Sequence, residues 1–145
     1  MQIEMTIKGL VVDPITNMPI IVLRDAEGQR VLPIWVGIFE ANAIALRIEN
    51  ISTPRPMTHD LLRNVIEDLN GVVRKIVVSD LKDNTFYALI YVEVGGQTLA
   101  IDSRPSDAIA LALRADAPIF VEETVLDNAK GIDFSTDKAD SERLQ

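Results

Sequence analysis

The chain has 145 residues, of which 48% are hydrophobic, and a formal net charge of −8 at pH 7. This length and composition fit one globular domain with its own core. The acidity argues against tight electrostatic binding to nucleic acid through a basic surface, so we expect any nucleic-acid substrate to bind weakly and transiently.

The residue types absent from the sequence narrow its chemistry and its location. The lack of cysteine excludes disulfide bonds and thiolate catalysis, and the single histidine excludes a zinc site built on several imidazoles of one chain. No apolar run approaches the about 20 residues of a membrane-spanning helix. The N-terminus lacks the basic and then apolar layout of a signal peptide. We therefore expect a cytoplasmic protein without a membrane segment.

The N-terminal third of the sequence predicts three strands. Residues 3–12 begin by alternating apolar and polar side chains, and residues 20–23 and 31–36 flank a turn, which is typical of a hairpin. Pro33 cannot donate a ladder hydrogen bond, so the third strand is predicted at an edge of the sheet. An apolar edge around Trp35 favours a partner chain, and we expect a homodimer or a higher homo-oligomer.

Two helices are predicted next. Residues 38–50 have helical periodicity, with Ala41, Ala45 and Ile48 along one face. The second helix is predicted to start at Thr58 as its N-cap and to end at Gly71. Its apolar residues recur at helical spacing and predict a buried stripe, formed by Leu61, Leu62, Val65, Ile66 and Leu69.

The rest of the sequence predicts a meander and a central helix. Residues 72–79, 85–94 and 97–102 read as three antiparallel strands, and the turn at Gly95-Gly96 places Leu89 opposite Asp102. The following helix, which begins at Pro105, is apolar on almost every side and is therefore predicted to be buried. A last short strand is predicted at residues 118–121.

These elements predict one α+β domain with a mixed, mostly antiparallel sheet and about three helices, the last of them central. We place the domain at residues 1–123 and an acidic C-terminal tail, expected to be partly disordered, at residues 124–145.

Three segments of the sequence resemble the bifunctional nuclease domain family. The central one is the run from Asp102 to Ala112, DSRPSDAIALA. Residues 32–37, LPIWVG, followed by Glu40 and Ala41, agree with it, as do residues 55–61, RPMTHDL. The resemblance extends over roughly residues 3–123. It implies an enzyme that cleaves the phosphodiester bonds of DNA and RNA.

The turn before the central helix is the first candidate site. Ser103, Arg104 and Ser106, with the free N–H groups of the helix, could bind phosphate. The carboxylates of Asp102 and Asp107 could act in catalysis and bind Mg²⁺ or Mn²⁺, which would activate water. The alternative is structural: the serines cap the helix, and Arg104 pairs with a carboxylate to hold the turn.

His59 and Glu40 complete the candidate catalytic residues. His59 lies at the first turn of a helix, where it could act as a neutral general base, or it could simply be an exposed polar residue. Glu40 could act with it, or it could belong with Arg47 to a solvated helix face. The competing function is a non-catalytic oligomeric module with a regulatory or binding role, which recognises a small anion or a protein partner.

Overall fold

The structure, a computed structural model, describes residues 1–130. Within this part of the chain seven strands form one sheet: β1 (Gln2–Val12), β2 (Pro19–Asp25), β3 (Val31–Trp35), β4 (Gly71–Lys82), β5 (Thr85–Val94), β6 (Gln97–Ser103) and β7 (Ile119–Glu122). Four helices accompany them: α1 (Ile38–Ile48), α2 (Thr58–Asp68), α3 (Pro105–Ala115) and α4 (Glu123–Lys130). None of these helices is both long enough and apolar enough to cross a membrane.

The strand order is β3-β2-β1-β7-β4-β5-β6. β7 lies between β1 and β4, antiparallel to the first and parallel to the second, and so joins the N-terminal strands to the meander. All the other pairings are antiparallel, which confirms the predicted α+β class with a mixed, mostly antiparallel sheet. β3, which contains Pro33, is an edge strand as predicted.

The register of the meander matches the prediction. Gly95 and Gly96 form the turn with φ of +56° and +80°, a conformation that suits glycine. Leu89 therefore pairs with Asp102, and buried Ile90 pairs with Ile101. Since successive side chains of a strand point to opposite faces, Asp102 lies on the face of the sheet opposite to Ile90.

α3 is the centre of the core, as its all-round apolar sequence predicted. Residues 108–112 are fully buried, and both α1 and α2 pack against this helix. α3 also covers β4 and β5. Arg114, near its C-terminal end, is buried as well, with 5% exposure.

The predicted buried stripe of α2 was wrong, and of the residues predicted to share one face of α1 only Ala41 is buried. On α1, Ala43 and Ile44 are buried with Ala41, whereas Ile48 is 48% exposed. On α2, four of the five residues of the predicted apolar stripe are exposed; these are Leu61, Leu62, Val65 and Leu69. The reason is that α2 turns polar side chains towards α3, so its apolar stripe lies at the surface.

The start of α2 and the C-terminal limit of the packed domain also differ from the prediction. The N-cap of α2 is Met57, and Thr58 is the first helical residue. α4, which the sequence did not predict, buries Val125 and Leu126 in the core, so the packing of the domain continues past residue 123. Residues 131–145, most of the segment predicted as an acidic tail, lie outside the described part of the chain.

Candidate functional site

Four charged or polar side chains from three helices form one hydrogen-bonded chain, which we call the polar cluster: Glu40, His59, Arg104 and Asp107. His59 Nε2 lies 2.9 Å from Asp107 Oδ1. Arg104 donates from Nε to Asp107 Oδ2 at 3.1 Å and from Nη2 to Glu40 Oε1 at 2.9 Å. The arginine therefore links α1 to the start of α3, and the histidine adds α2.

Local sequence explains how these side chains are held. Arg104 is the extended N-cap of α3 (φ −74°, ψ 146°), and Pro105 follows at the first helical position, where its missing N–H costs no hydrogen bond. Gly37 is the N-cap of α1. A Cβ at Gly37 would lie 2.8 Å from Glu40 Oε2, so the absence of a side chain there lets the Glu40 carboxylate fold back over the helix start.

The four side chains of the polar cluster differ in solvent exposure, from nearly buried to largely exposed. The side chain of His59 is 10% exposed, that of Glu40 17%, that of Asp107 33% and that of Arg104 66%. Burial acts to raise the pKa of Asp107, but hydrogen bonds from His59 and Arg104 and the charge of Arg104 outweigh it, so this pKa lies below its ordinary value of 3.8. The same hydrogen bond, with help from Glu40, raises the pKa of Arg104.

The ionised state of Asp107 shows which of the two groups, His59 or Asp107, carries the hydrogen of their bond. Asp107 is ionised at neutral pH and can only accept hydrogen bonds, so His59 Nε2 must carry the hydrogen. The pair resembles the way in which a carboxylate orients an imidazole in hydrolases.

A cavity of about 320 Å³ lies beside the cluster. Its walls include the exposed end of the cluster, Glu40 and Arg104, together with Ser106 and Trp35. Trp35 is 37% exposed, and its indole Nε1 donates to Asp13 Oδ2 at 3.0 Å, which fixes the orientation of the ring. His59 and Asp107 do not line this cavity and support Arg104 from behind.

The structure does not group all the predicted residues. Asp102 is exposed on the opposite face of the sheet, and it forms no side-chain hydrogen bond within residues 1–130. Ser103 Oγ donates to the carbonyl of Arg104 at 2.9 Å, and no side chain caps α3. The turn places the Asp102 and Asp107 carboxylates on different sides, so Asp102 is not part of the polar cluster. Of the predicted phosphate ligands, Arg104 and Ser106 do reach the cavity.

The donor set does not fit a divalent cation. No group of three or more histidine or acidic side chains in the described ranges could hold a metal ion. Both oxygens of Asp107 already accept hydrogen bonds, and the positive charge of Arg104 is adjacent. Mg²⁺ and Mn²⁺ prefer several oxygen ligands, and Asp102 and Asp107 do not supply them together.

Sequence reasoning missed two residues that shape the site. Trp35 was assigned to an edge that would attract a partner, yet its ring lines the cavity. Gly37 was read only as part of a motif, although it makes room for Glu40. Both lie within residues 32–41, so the resemblance of that segment was the available signal.

Comparisons with known proteins match most of the length of this chain. Residues 21–133 match the family described as the Bifunctional nuclease domain. The chain is 42% identical over 126 residues to an uncharacterized protein of Mycobacterium tuberculosis, covering 87% of this chain and 75% of that protein. It is 29% identical over 112 residues to Bifunctional nuclease 1 of Oryza sativa and 27% identical over 109 residues to Bifunctional nuclease 1 of Arabidopsis thaliana. The aligned regions cover 74% and 72% of this chain but only 34% of each plant protein.

Proposed function

Because the chain belongs to the bifunctional nuclease domain family, we propose that it cleaves phosphodiester bonds of DNA or RNA at the polar cluster. One observation carries the proposal. A guanidinium, a carboxylate and an exposed indole line the same cavity of about 320 Å³, although Arg104 is 64 residues from Glu40 in the sequence. Arg104 can bind a phosphate, Glu40 can accept a proton from water, and Trp35 can stack on a base.

Arg104 binds the phosphate to be cleaved. Its Nε donates to Asp107 and its Nη2 to Glu40, and these two hydrogen bonds also fix the direction of Nη1. A guanidinium fixed in this way supplies charge and N–H donors where negative charge develops on the phosphoryl oxygens. Ser106, on the same wall, offers a hydroxyl to the phosphate.

Glu40 takes the proton from the attacking water. Its Oε1 accepts from Arg104, and its Oε2, which lies over Gly37, is the oxygen left to act as a base. Water attacks phosphorus, the bond from phosphorus to the leaving oxygen breaks, and the proton passes through Glu40 to that oxygen. General base catalysis of this kind contributes about 10²–10⁴ in rate.

His59 and Asp107 are positioning residues. They do not line the cavity, and they act on the substrate through Arg104. Trp35 gives one base of the substrate a surface on which to stack, a contact that tolerates any base and both sugars. With a net charge of −8, the chain binds nucleic acid only transiently.

The test uses nuclease assays of purified variants. Glu40→Gln should lower kcat by at least about 10²-fold, because the amide keeps the shape but is a poor base. Arg104→Lys should weaken cleavage, since lysine lacks the planar fork. Asp102→Asn is the matched control: it removes an exposed carboxylate from the other face of the sheet, and it should cleave like the native protein.

The assay requires protein that is free of contaminating nucleases. Activity should remain with the protein through two orthogonal columns, and it should be measured with EDTA and with added Mg²⁺, Mn²⁺ and Ca²⁺. Native cleavage matched by Glu40→Gln, at equal melting temperature, would remove this cluster from the mechanism. No cleavage by the native protein under any of these conditions would leave the binding-module alternative ahead.

A further inference from the structure

A second cavity, with a volume of about 270 Å³, is lined by four of the nine arginines of the chain. These are Arg47 of α1, Arg55 of the connection between α1 and α2, Arg63 of α2 and Arg114 of α3. We call it the arginine pocket. None of its arginines belongs to the polar cluster, and no residue lines both cavities.

The arginine pocket is positive although the protein is acidic. Asp60 is the single carboxylate on its wall, and both oxygens are occupied: Oδ1 accepts from Arg114 Nε at 2.7 Å and Oδ2 from the Met57 N–H at 3.0 Å. Four guanidinium groups and one carboxylate leave a charge of +3 on the lining. No carboxylate of residues 1–130 lies within 4.0 Å of the guanidinium groups of Arg47, Arg55 or Arg63.

Many donors remain for a ligand. Arg47 uses only Nε, which donates to the Leu113 carbonyl at 3.3 Å. Arg55 makes no side-chain hydrogen bond with any described residue. Arg63 and Arg114 are held more firmly, because they donate to carbonyls of neighbouring helices, and Arg114 is buried. Two fixed guanidinium groups and two available ones thus face the same cavity.

We propose that the arginine pocket binds the phosphate group of a nucleotide-sized ligand. A planar guanidinium can donate two parallel hydrogen bonds to two oxygens of one phosphate. The negative charge of a phosphate also offsets the +3 charge of the lining. A volume of 270 Å³ lies near the lower end of small-molecule sites, about 300–1,000 Å³. The remaining wall combines three polar side chains with an apolar part that suits a sugar or base. The polar residues are Ser52, Thr53 and Asn64, and the apolar ones are Leu46, Ile51, Pro54, Pro56 and Met57.

This proposal does not depend on cleavage. The same phosphate chemistry could come from a free nucleotide or from one unit of a nucleic-acid strand. The test is isothermal titration calorimetry of the full chain with AMP and, separately, with a short single-stranded oligonucleotide without a terminal phosphate. Arg47→Gln and Arg55→Gln probe the pocket, because both side chains are exposed. Arg55 makes no side-chain hydrogen bond with a described residue, and Arg47 loses only the one to the Leu113 carbonyl.

Each pocket variant should bind AMP or the oligonucleotide at least about tenfold more weakly than the native protein does, because the loss of one charge-assisted hydrogen bond has an effect of this size. Arg74→Gln is the matched control, since Arg74 is an exposed arginine of β4 that pairs with Glu93 at 2.9 Å, outside the pocket. Binding of AMP would indicate a free-nucleotide site, and binding of the oligonucleotide alone would indicate a subsite for a strand. No binding of either ligand, or an equal loss in Arg74→Gln, would overturn the proposal. Because binding is measured directly, an absence of cleavage would not affect the result.

Discussion

Asp60→Ala should destabilise the fold far more than an ordinary surface substitution. The Asp60 carboxylate accepts from Nε of Arg114 at 2.7 Å, and the arginine side chain is only 3% exposed. Arg114 also donates to the carbonyls of Ala110 and Ala43, so it cannot move into solvent without breaking these bonds. Removal of Asp60 therefore leaves a buried guanidinium without its counter-ion.

The size of the effect follows from this burial. Breaking a fully buried ion pair by removing one partner costs about 3–5 kcal/mol. The Asp60 side chain is 25% exposed, so water can partly replace it, and we expect the lower end, about 3 kcal/mol. For a chain of this length that corresponds to a fall in melting temperature of about 6–12 °C.

The assay is urea unfolding followed by circular dichroism, with Asp68→Ala as control. Asp68 is an exposed carboxylate at the other end of the same helix, and its loss should change the free energy of unfolding by no more than about 0.5 kcal/mol. Equal losses in the two variants would refute the reasoning.

The effect should also depend on pH. Burial acts to raise the pKa of Asp60, but the Met57 N–H and Arg114 outweigh it, so the pKa lies below 3.8. A lowered carboxylate pKa gives stability that is fully present above the ordinary value and is lost as the pH falls through the lowered one. The difference between native protein and Asp60→Ala should therefore be constant near neutral pH and shrink below about pH 4. A difference that persisted undiminished far below that pH would show that the charge of Asp60 is not its cause.

Three further predictions follow from packing. Leu111→Ala, in the fully buried centre of α3, should cost about 2–5 kcal/mol in urea unfolding, and a loss under about 1 kcal/mol would contradict the central position of this helix. Gly37→Ala should displace the Glu40 carboxylate and lower cleavage while barely changing the melting temperature; full activity would mean that Glu40 needs no such room. Leu61 and Leu69 of α2 are 56% and 69% exposed, so light scattering should give a homo-oligomer that Leu61→Glu and Leu69→Glu dissociate, and a native monomer at micromolar concentration would refute it.

The parts of the fold that follow from local chemistry could be predicted from the sequence. The Gly95-Gly96 turn determines a register, Pro33 restricts its strand to an edge, and the apolar run after Pro105 requires a covered helix. All three were confirmed. α4 was missed because it is short and its apolar residues are few.

The candidate site was only partly predictable, since it depends on which faces of the helices meet. Spacing placed His59, Arg104 and Asp107 at helix starts, but it could not show that α2 turns its first residues towards α3. Asp102 and Asp107 are close in sequence, yet a strand end and a helix start direct their side chains to different sides of the sheet. For these two carboxylates, proximity in sequence was a poor guide because the chain passes from a strand to a helix between them.

The contact between α2 and α3 explains both the site and the exposed stripe. Adjacent residues of α2, His59 and Asp60, bind residues of α3 that are seven positions apart, Asp107 and Arg114. An apolar contact would allow the helices to slide, whereas two hydrogen-bonded pairs of different chemistry permit one orientation; we hold this as a hypothesis on specificity. That orientation places Arg104 at one cavity and Arg114 at the other. It also leaves the apolar stripe of α2 uncovered, so α2 is, besides the β3 edge, a second surface at which we predict another copy of the chain to bind. A double-mutant cycle between Asp60 and Arg114 that gave no coupling would show that this pair does not set the orientation.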